Sequence, residues 1–396
     1  MGGWGLIAAT IIVLSNLAAV AVDFFYLMLA QVTGNDSLAD LTLNLPLNIA
    51  TTLVFVAIAC WISYRGVETT KTVQYVLVAF QLIVLTWFSI AAFAHVAGGT
   101  AFVATHISWD WFNPFAVESF SAFAAGVSLS IFVYWGWDVT LTMNEETRDP
   151  DKTPGRAATA TVFVIVLIYM MIALAVISYA GVGDGELGAG NPENQESIFA
   201  VLATPVMGPF AILMSLSILS SSAASLQSTF VSPARTLLAM GHYRALPKRF
   251  GRISPAYKSP GYATVAAAIA ASAFYVVTRL LSENALWDTI TALGLMICFY
   301  YGITALACVW YFRRDAFESV RSFLLKFLAP ALGGIILFIM FIKTAFDSMD
   351  PDYGSGSSVG GVGLVFVLGM GVIILGAVLM LVMYRINPGF FRGETL

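Results

Sequence analysis

Phe132-Val133-Tyr134-Trp135-Gly136-Trp137-Asp138 is the stretch whose reading decides the fold. It lies inside an apolar run from Phe120 to Met143, long enough to cross a bilayer, for which about 20 mostly apolar residues suffice. An acid at that depth costs roughly 2.5–3.5 kcal/mol on insertion scales, and a helix interrupted in lipid must find other partners for its freed backbone groups. A glycine between two tryptophans, with an aspartate just beyond, therefore reads as a break with a purpose.

The rest of the chain fits a membrane setting. It is 59% hydrophobic and 11% charged over 396 residues, whereas soluble domains carry roughly 25% charged residues. Cys60, Cys298 and Cys308 fall inside apolar runs and read as small packing residues without a disulfide framework. The net charge is -4 and the basic residues are scattered through short loops, which excludes a nucleic-acid stripe. Met1 to Ala30 lacks a basic lead and is too long for a signal peptide, so it reads as a retained span.

Apolar windows bounded by charge, Pro or Gly predict ten spans: about 4 to 30, 45 to 64, 72 to 95, 118 to 144, 157 to 181, 198 to 230, 260 to 281, 285 to 312, 322 to 345 and 359 to 384. With that partition every Lys and Arg except Arg279 and Lys343 falls on one side. Basic residues collect on cytoplasmic loops, so both termini are predicted cytoplasmic in a multi-pass plasma-membrane protein. The opposite loops agree: 181–197 holds Asp184, Glu186, Glu193 and Glu196 with no basic residue, and 354–363 is rich in Gly and Ser. Trp4, Trp61, Trp109, Trp111, Trp287 and Trp310 lie near span ends, as an interfacial belt requires, whereas Trp87, Trp135 and Trp137 do not.

In this topology the fourth span runs inward and breaks at Gly136. Its outer half ends with freed carbonyls that accept from an ammonium group, and its inner half begins with freed amides that favour an anion or a cap. Asp138 reads either as that cap, worth about 1 kcal/mol, or as a member of a site. Gly136 itself is expected to be required because a Cβ would obstruct close backbone approach.

Phe132 to Asp138, followed by Asn144-Glu145-Glu146-Thr147-Arg148-Asp149-Pro150 and Thr153-Pro154-Gly155-Arg156-Ala157, resembles the sixth helix and following loop of amino acid permeases of the amino acid-polyamine-organocation superfamily. Arg235, Ala239-Met240-Gly241, Ala245-Leu246-Pro247 and Ser259-Pro260 resemble the loop after that family's eighth helix. The resemblance implies an all-α polytopic membrane protein of the LeuT-type inverted-repeat fold, with a midplane site between broken first and sixth helices. It implies one permease domain over 1–396, with 1–95 matching the remainder of the first repeat, 118–312 the second, and 322–384 two C-terminal helices. About ten helices stand against the family's twelve, and no Gly-Ser-Gly-type break precedes Gly136. The expectation is thus a permease lacking the first two helices, whose amides would have met a substrate carboxylate; the alternative is a truncated, transport-inactive fragment or a membrane scaffold.

The same resemblance supplies the remaining candidates. Asn16 on the first span falls where relatives offer an amide, and interhelical hydrogen bonding accounts for it equally well. Phe132, Val133, Tyr134, Trp135, Gly136, Trp137 and Asp138 are the other candidate substrate-binding residues. Gln81 stands where a number of relatives place a coupling lysine. Ser221 and Ser222 fall in the cation-site region of that fold, and Tyr300 and Tyr301 resemble pathway-lining aromatics; Glu145 and Glu146, with Arg148 at the cytoplasmic end of the fourth span, read from their position as an inner gate pairing with other loops. Ordinary packing or solvation competes at each.

The function implied is secondary active transport of an amino acid or related amine by alternating access, with a coupling proton or counter-substrate and the lipid bilayer as partners and no nucleic acid. An intramembrane enzyme is the rival. It has no His-Glu-x-x-His to stand on, and His95, His106 and His242 lie in or near loops, apart from one another. No cofactor or metal motif is read.

Overall fold

The computed structural model describes residues 2–65, 71–117, 119–142, 147–194, 197–281 and 285–394. Their regular structure is helical, apart from a hairpin pairing β1 (Ser358–Val359) antiparallel with β2 (Val362–Gly363). A backbone in lipid must satisfy its own polar groups, and a helix does so within one segment. Among the described residues nine helices are long and apolar enough to cross a membrane.

Helix α1 (Gly2–Thr33) is the axle. It is apolar all round, without a polar stripe, which is the signature of a helix buried by neighbours on several sides. Ala9, Ile12, Leu14, Ala18 and Val22 are buried almost completely. Beside it stands α2 (Leu45–Arg65), whereas α3 (Lys71–Ala97) packs on α6 (Thr153–Ala180). The expected sixth span is not one helix. It divides into α7 (Ile198–Met207) and α8 (Ala211–Thr229), with Gly208 at φ +57 and a proline at 209 between them, before continuing as α9 (Val231–His242). Proline removes a donor and crowds the preceding turn, so the chain cannot stay straight there.

The second half comprises α10 (Gly261–Leu281), α11 (Ala285–Phe312) and α12 (Val320–Ser322), which runs through a π-helical turn at Phe323–Leu328 into α13 (Ala329–Asp347), and then α14 (Leu364–Ile386). Lipid tails are as apolar as leucine, so helices associate through close packing at small residues. Three glycines set the approaches that matter. A Cβ at Gly5 of α1 would come 2.7 Å from the Tyr300 Cβ of α11; one at Gly376 of α14 would strike the Trp4 ring at 2.0 Å; one at Gly294 of α11 would lie 2.4 Å from Ser128 Oγ on the fourth span.

That fourth span, expected over 118–144, is α4 (Phe120–Val133) and α5 (Val139–Thr142), separated by turn residues 134–138. Ser119 caps α4 by accepting from the Ala122 amide at 3.1 Å. Nearby, Lys343 of α13 binds Ser121 Oγ at 2.7 Å and pairs with Asp347 one turn on, tying the start of α4 to α13. The connection between α13 and α14 is pinned as well. Asp288, 1% exposed in the first turn of α11, accepts from the Ser355 amide at 2.9 Å and the Ser355 hydroxyl at 2.6 Å.

Candidate functional site

The end of α4 is built by four residues. Tyr134 still closes a helical bond to the Ser130 carbonyl at 2.9 Å, and Trp135 tightens to the Phe132 carbonyl at 3.0 Å. Gly136 then takes φ +111, a conformation that side-chain-bearing residues rarely adopt. The next bonds, Val139 N to Gly136 O and Leu141 N to Asp138 O, start a new turn.

The reason for glycine is different from the one expected. A Cβ built at Gly136 meets nothing within 4 Å, so no backbone approaches closely; open space adjoins the turn, and the positive φ alone demands glycine.

Two tyrosines of α11 meet this turn. Trp135 Nε1 donates to the Tyr300 hydroxyl, which donates in turn to Asp138 Oδ2 at 3.3 Å. Tyr300 and Tyr301 lie with ring centroids 4.6 Å apart, and Trp137 lies 5.8 Å from Tyr301. The carboxyl of Asp138 is thus directed across the helix pair to α11 and faces both tyrosines. Asp138 Oδ1 and the Tyr301 hydroxyl are buried with no partner among the described residues. Phe132 and Trp135 pack on a cluster of Ala8, Ala9, Ile12, Leu293, Met296, Ile297 and Tyr300, which fixes the turn against α1 and α11.

Other sequence candidates lie apart from this group. Tyr134 turns to α6, its ring 5.4 Å from Tyr169, and Val133 is half-exposed. Asn16 is 8% exposed and its Oδ1 accepts from Thr289 Oγ1 at 2.9 Å, while its Nδ2 has no partner among the described residues. Thr289 precedes Tyr300 by three turns of α11, roughly 16 Å along the axis at 1.5 Å per residue, so Asn16 stands at another level of the bundle. Gln81 is half-buried on α3, and no hydrogen bond among the described residues ties it to Asp138. On α8, whose main neighbour is α1, Ser222 is buried and Ser221 half-buried. Glu145 and Glu146 lie outside the described residues.

Sequence reading missed Gly5, Gly294 and Ser128. Ser128 is 1% exposed, and Gly294 lets α4 press onto α11 closely enough for Trp135 to reach Tyr300. A glycine in an apolar run was the available signal, but nothing in its neighbours names the helix it admits. No three His, Cys, Asp or Glu gather as a metal site among the described residues.

No curated protein matches the chain. The family model described as "Amino acid permease" does match it, over residues 2–367, covering α1 through the first turn of α14 and both halves of the broken span. An all-α bundle of membrane-crossing helices, interrupted at a Trp-Gly-Trp-Asp turn, is accordingly a member of the amino acid permease family, within the amino acid-polyamine-organocation superfamily.

Proposed function

We propose that this chain carries an amino acid or related amine across the cytoplasmic membrane by alternating access, with the turn at Gly136 as the substrate site and both termini cytoplasmic. The observation that carries the reading is the left-handed turn at Gly136 that ends the apolar helix α4, with the Asp138 carboxylate beside it on the Tyr300 hydroxyl. Interrupted helices in transporters place such groups where a polar substrate must shed water. An amine gives up several hydrogen bonds on leaving water, and it is accommodated only where acceptors replace them. Membership of a permease family supports transport over enzymatic catalysis. On this reading residues 118–312 form the repeat that contains the site, and 322–384 form two helices outside it.

The test is a binding screen of amino acids and amines against purified protein, followed by uptake of each hit into proteoliposomes. Saturable uptake of at least one hit is expected. Hits that bind but never cross the vesicle membrane would contradict transport.

A further inference from the structure

Independently of the substrate site, we propose that the groove between α2 and α10 holds an acyl chain of an anionic phospholipid, whose phosphate is met by Arg65 and Lys258.

The groove is open on one side and has a volume of about 810 Å³. It runs from Leu53 to Tyr64 on α2 and from Val265 to Val277 on α10, roughly 16–18 Å at 1.5 Å per residue. A hydrocarbon core is about 30 Å thick, so the groove is as long as one leaflet is deep. Its shape follows from the sequence. A Cβ on Gly261 would lie 2.4 Å from the Tyr64 ring, so glycine lets the two helices meet at that end. Farther along, Ala57 and Ala273 are exposed and too short to close the gap. Val56 and Ala268, which also line it, belong to the buried core, so the floor is packed and apolar. Such walls are poorly hydrated and are filled most favourably by hydrocarbon.

The closed end carries the charge. The Arg65 guanidinium lies over the exposed ring of Trp61, a lining residue, 4.3 Å from its centroid. Tyr64, another lining residue, packs edge-on against Tyr257 at 5.6 Å, and its carbonyl accepts from Ser259 Oγ at 2.6 Å. These contacts bring the segment with Lys258 to the same end. From 252 to 260 that segment holds Arg252 and Lys258 and no acid, and no ion pair among the described residues engages Arg65 or Lys258. Trp and Tyr at a span end mark the headgroup level, and basic pockets between spanning helices on the Lys- and Arg-rich side take anionic headgroups. A zwitterionic lipid offers the same chains, but its own cation is repelled by the same two groups.

The test is native mass spectrometry of the full chain, purified in detergent and titrated with dioleoylphosphatidylglycerol or dioleoylphosphatidylcholine. Wild type is expected to retain one phosphatidylglycerol about tenfold more tightly than phosphatidylcholine, as two basic groups at the headgroup imply. Arg65→Gln with Lys258→Gln should remove that preference, and Ala57→Phe with Ala273→Phe should remove retention of the lipid itself. Arg313→Gln should change neither, because Arg313 lies over Trp310, at 4.2 Å, a tryptophan that does not line the groove. All five positions are exposed, and melting temperatures check that each variant is folded. Equal retention of the two lipids by wild type overturns the proposal whatever the variants do. So does a preference that survives either double substitution, or one that Arg313→Gln removes equally well, since diffuse surface charge would then account for it. A dimer that Ala57→Phe with Ala273→Phe dissociates, with lipid retention unchanged, would assign the groove to a second copy of the chain and also overturn it.

Discussion

At the scale of single residues, Gly136 shows what a sequence reveals and what it withholds. The break was legible because a glycine between two tryptophans has no reason to sit in a continuous apolar helix, and an aspartate at that depth needs a partner. The reason for the glycine was not legible, since φ +111 belongs to the backbone and no side chain advertises it. Residues in such conformations cost about 1–3 kcal/mol when they carry a Cβ, and here no clash adds to that figure. Gly136→Val should therefore lower stability by about 1–3 kcal/mol in a thermal melt while removing substrate binding altogether, because the turn and its carbonyls reorganise. Asn16 teaches the opposite lesson. It was singled out because it falls where relatives offer an amide, and its level along the bundle, set by helix register, pairs it with Thr289.

Between elements, contacts depend on small residues that hydropathy does not distinguish from filler. The close approach of α4 to α11 passes through Gly294 and Ser128. Gly294→Ala would put a methyl 2.4 Å from Ser128 Oγ and 2.5 Å from its backbone oxygen, and overpacking of this kind costs about 1–3 kcal/mol. We expect a lowered melting temperature and loss of binding as Trp135 withdraws from Tyr300. Gly126→Ala on α4 is the matched control: its Cβ meets nothing within 4 Å, so stability should hold or rise by up to about 1 kcal/mol. A second prediction concerns the loop pinned on α11. Asp288→Ala removes the acceptor for both the amide and the hydroxyl of Ser355, and charged hydrogen bonds of this kind are worth about 1.5–3 kcal/mol. Limited proteolysis should then cut residues 351–362 faster than in wild type, with an accompanying fall in melting temperature. The division of the expected sixth span at Gly208 was present in the sequence as Gly208-Pro209, but the surrounding apolar run masked it.

At the scale of the whole molecule, composition and charge did most of the work. Nearly every predicted span has a helix within a few residues of its expected ends, because bilayer thickness fixes helix length and charge marks the boundaries. The arrangement of those helices was not available from hydropathy: α1 lies at the centre and α14 against Trp4 through contacts that join residues hundreds of positions apart. The one-sided distribution of Lys and Arg predicts an orientation, which is testable directly. Single cysteines placed at the exposed positions Glu186 and Lys258, in a chain whose three native cysteines are replaced, should be labelled by an impermeant maleimide from opposite faces of the membrane. Labelling of both from one face would contradict the ten-crossing arrangement. The central claim is that substrate crosses at the turn between α4 and α5, and counterflow in proteoliposomes tests it most directly. Vesicles loaded with an unlabelled amino acid or amine that binds wild type should accumulate the same labelled compound from outside, and vesicles with Gly136→Val should not. Equal counterflow through both proteins would show that transport does not pass through this turn.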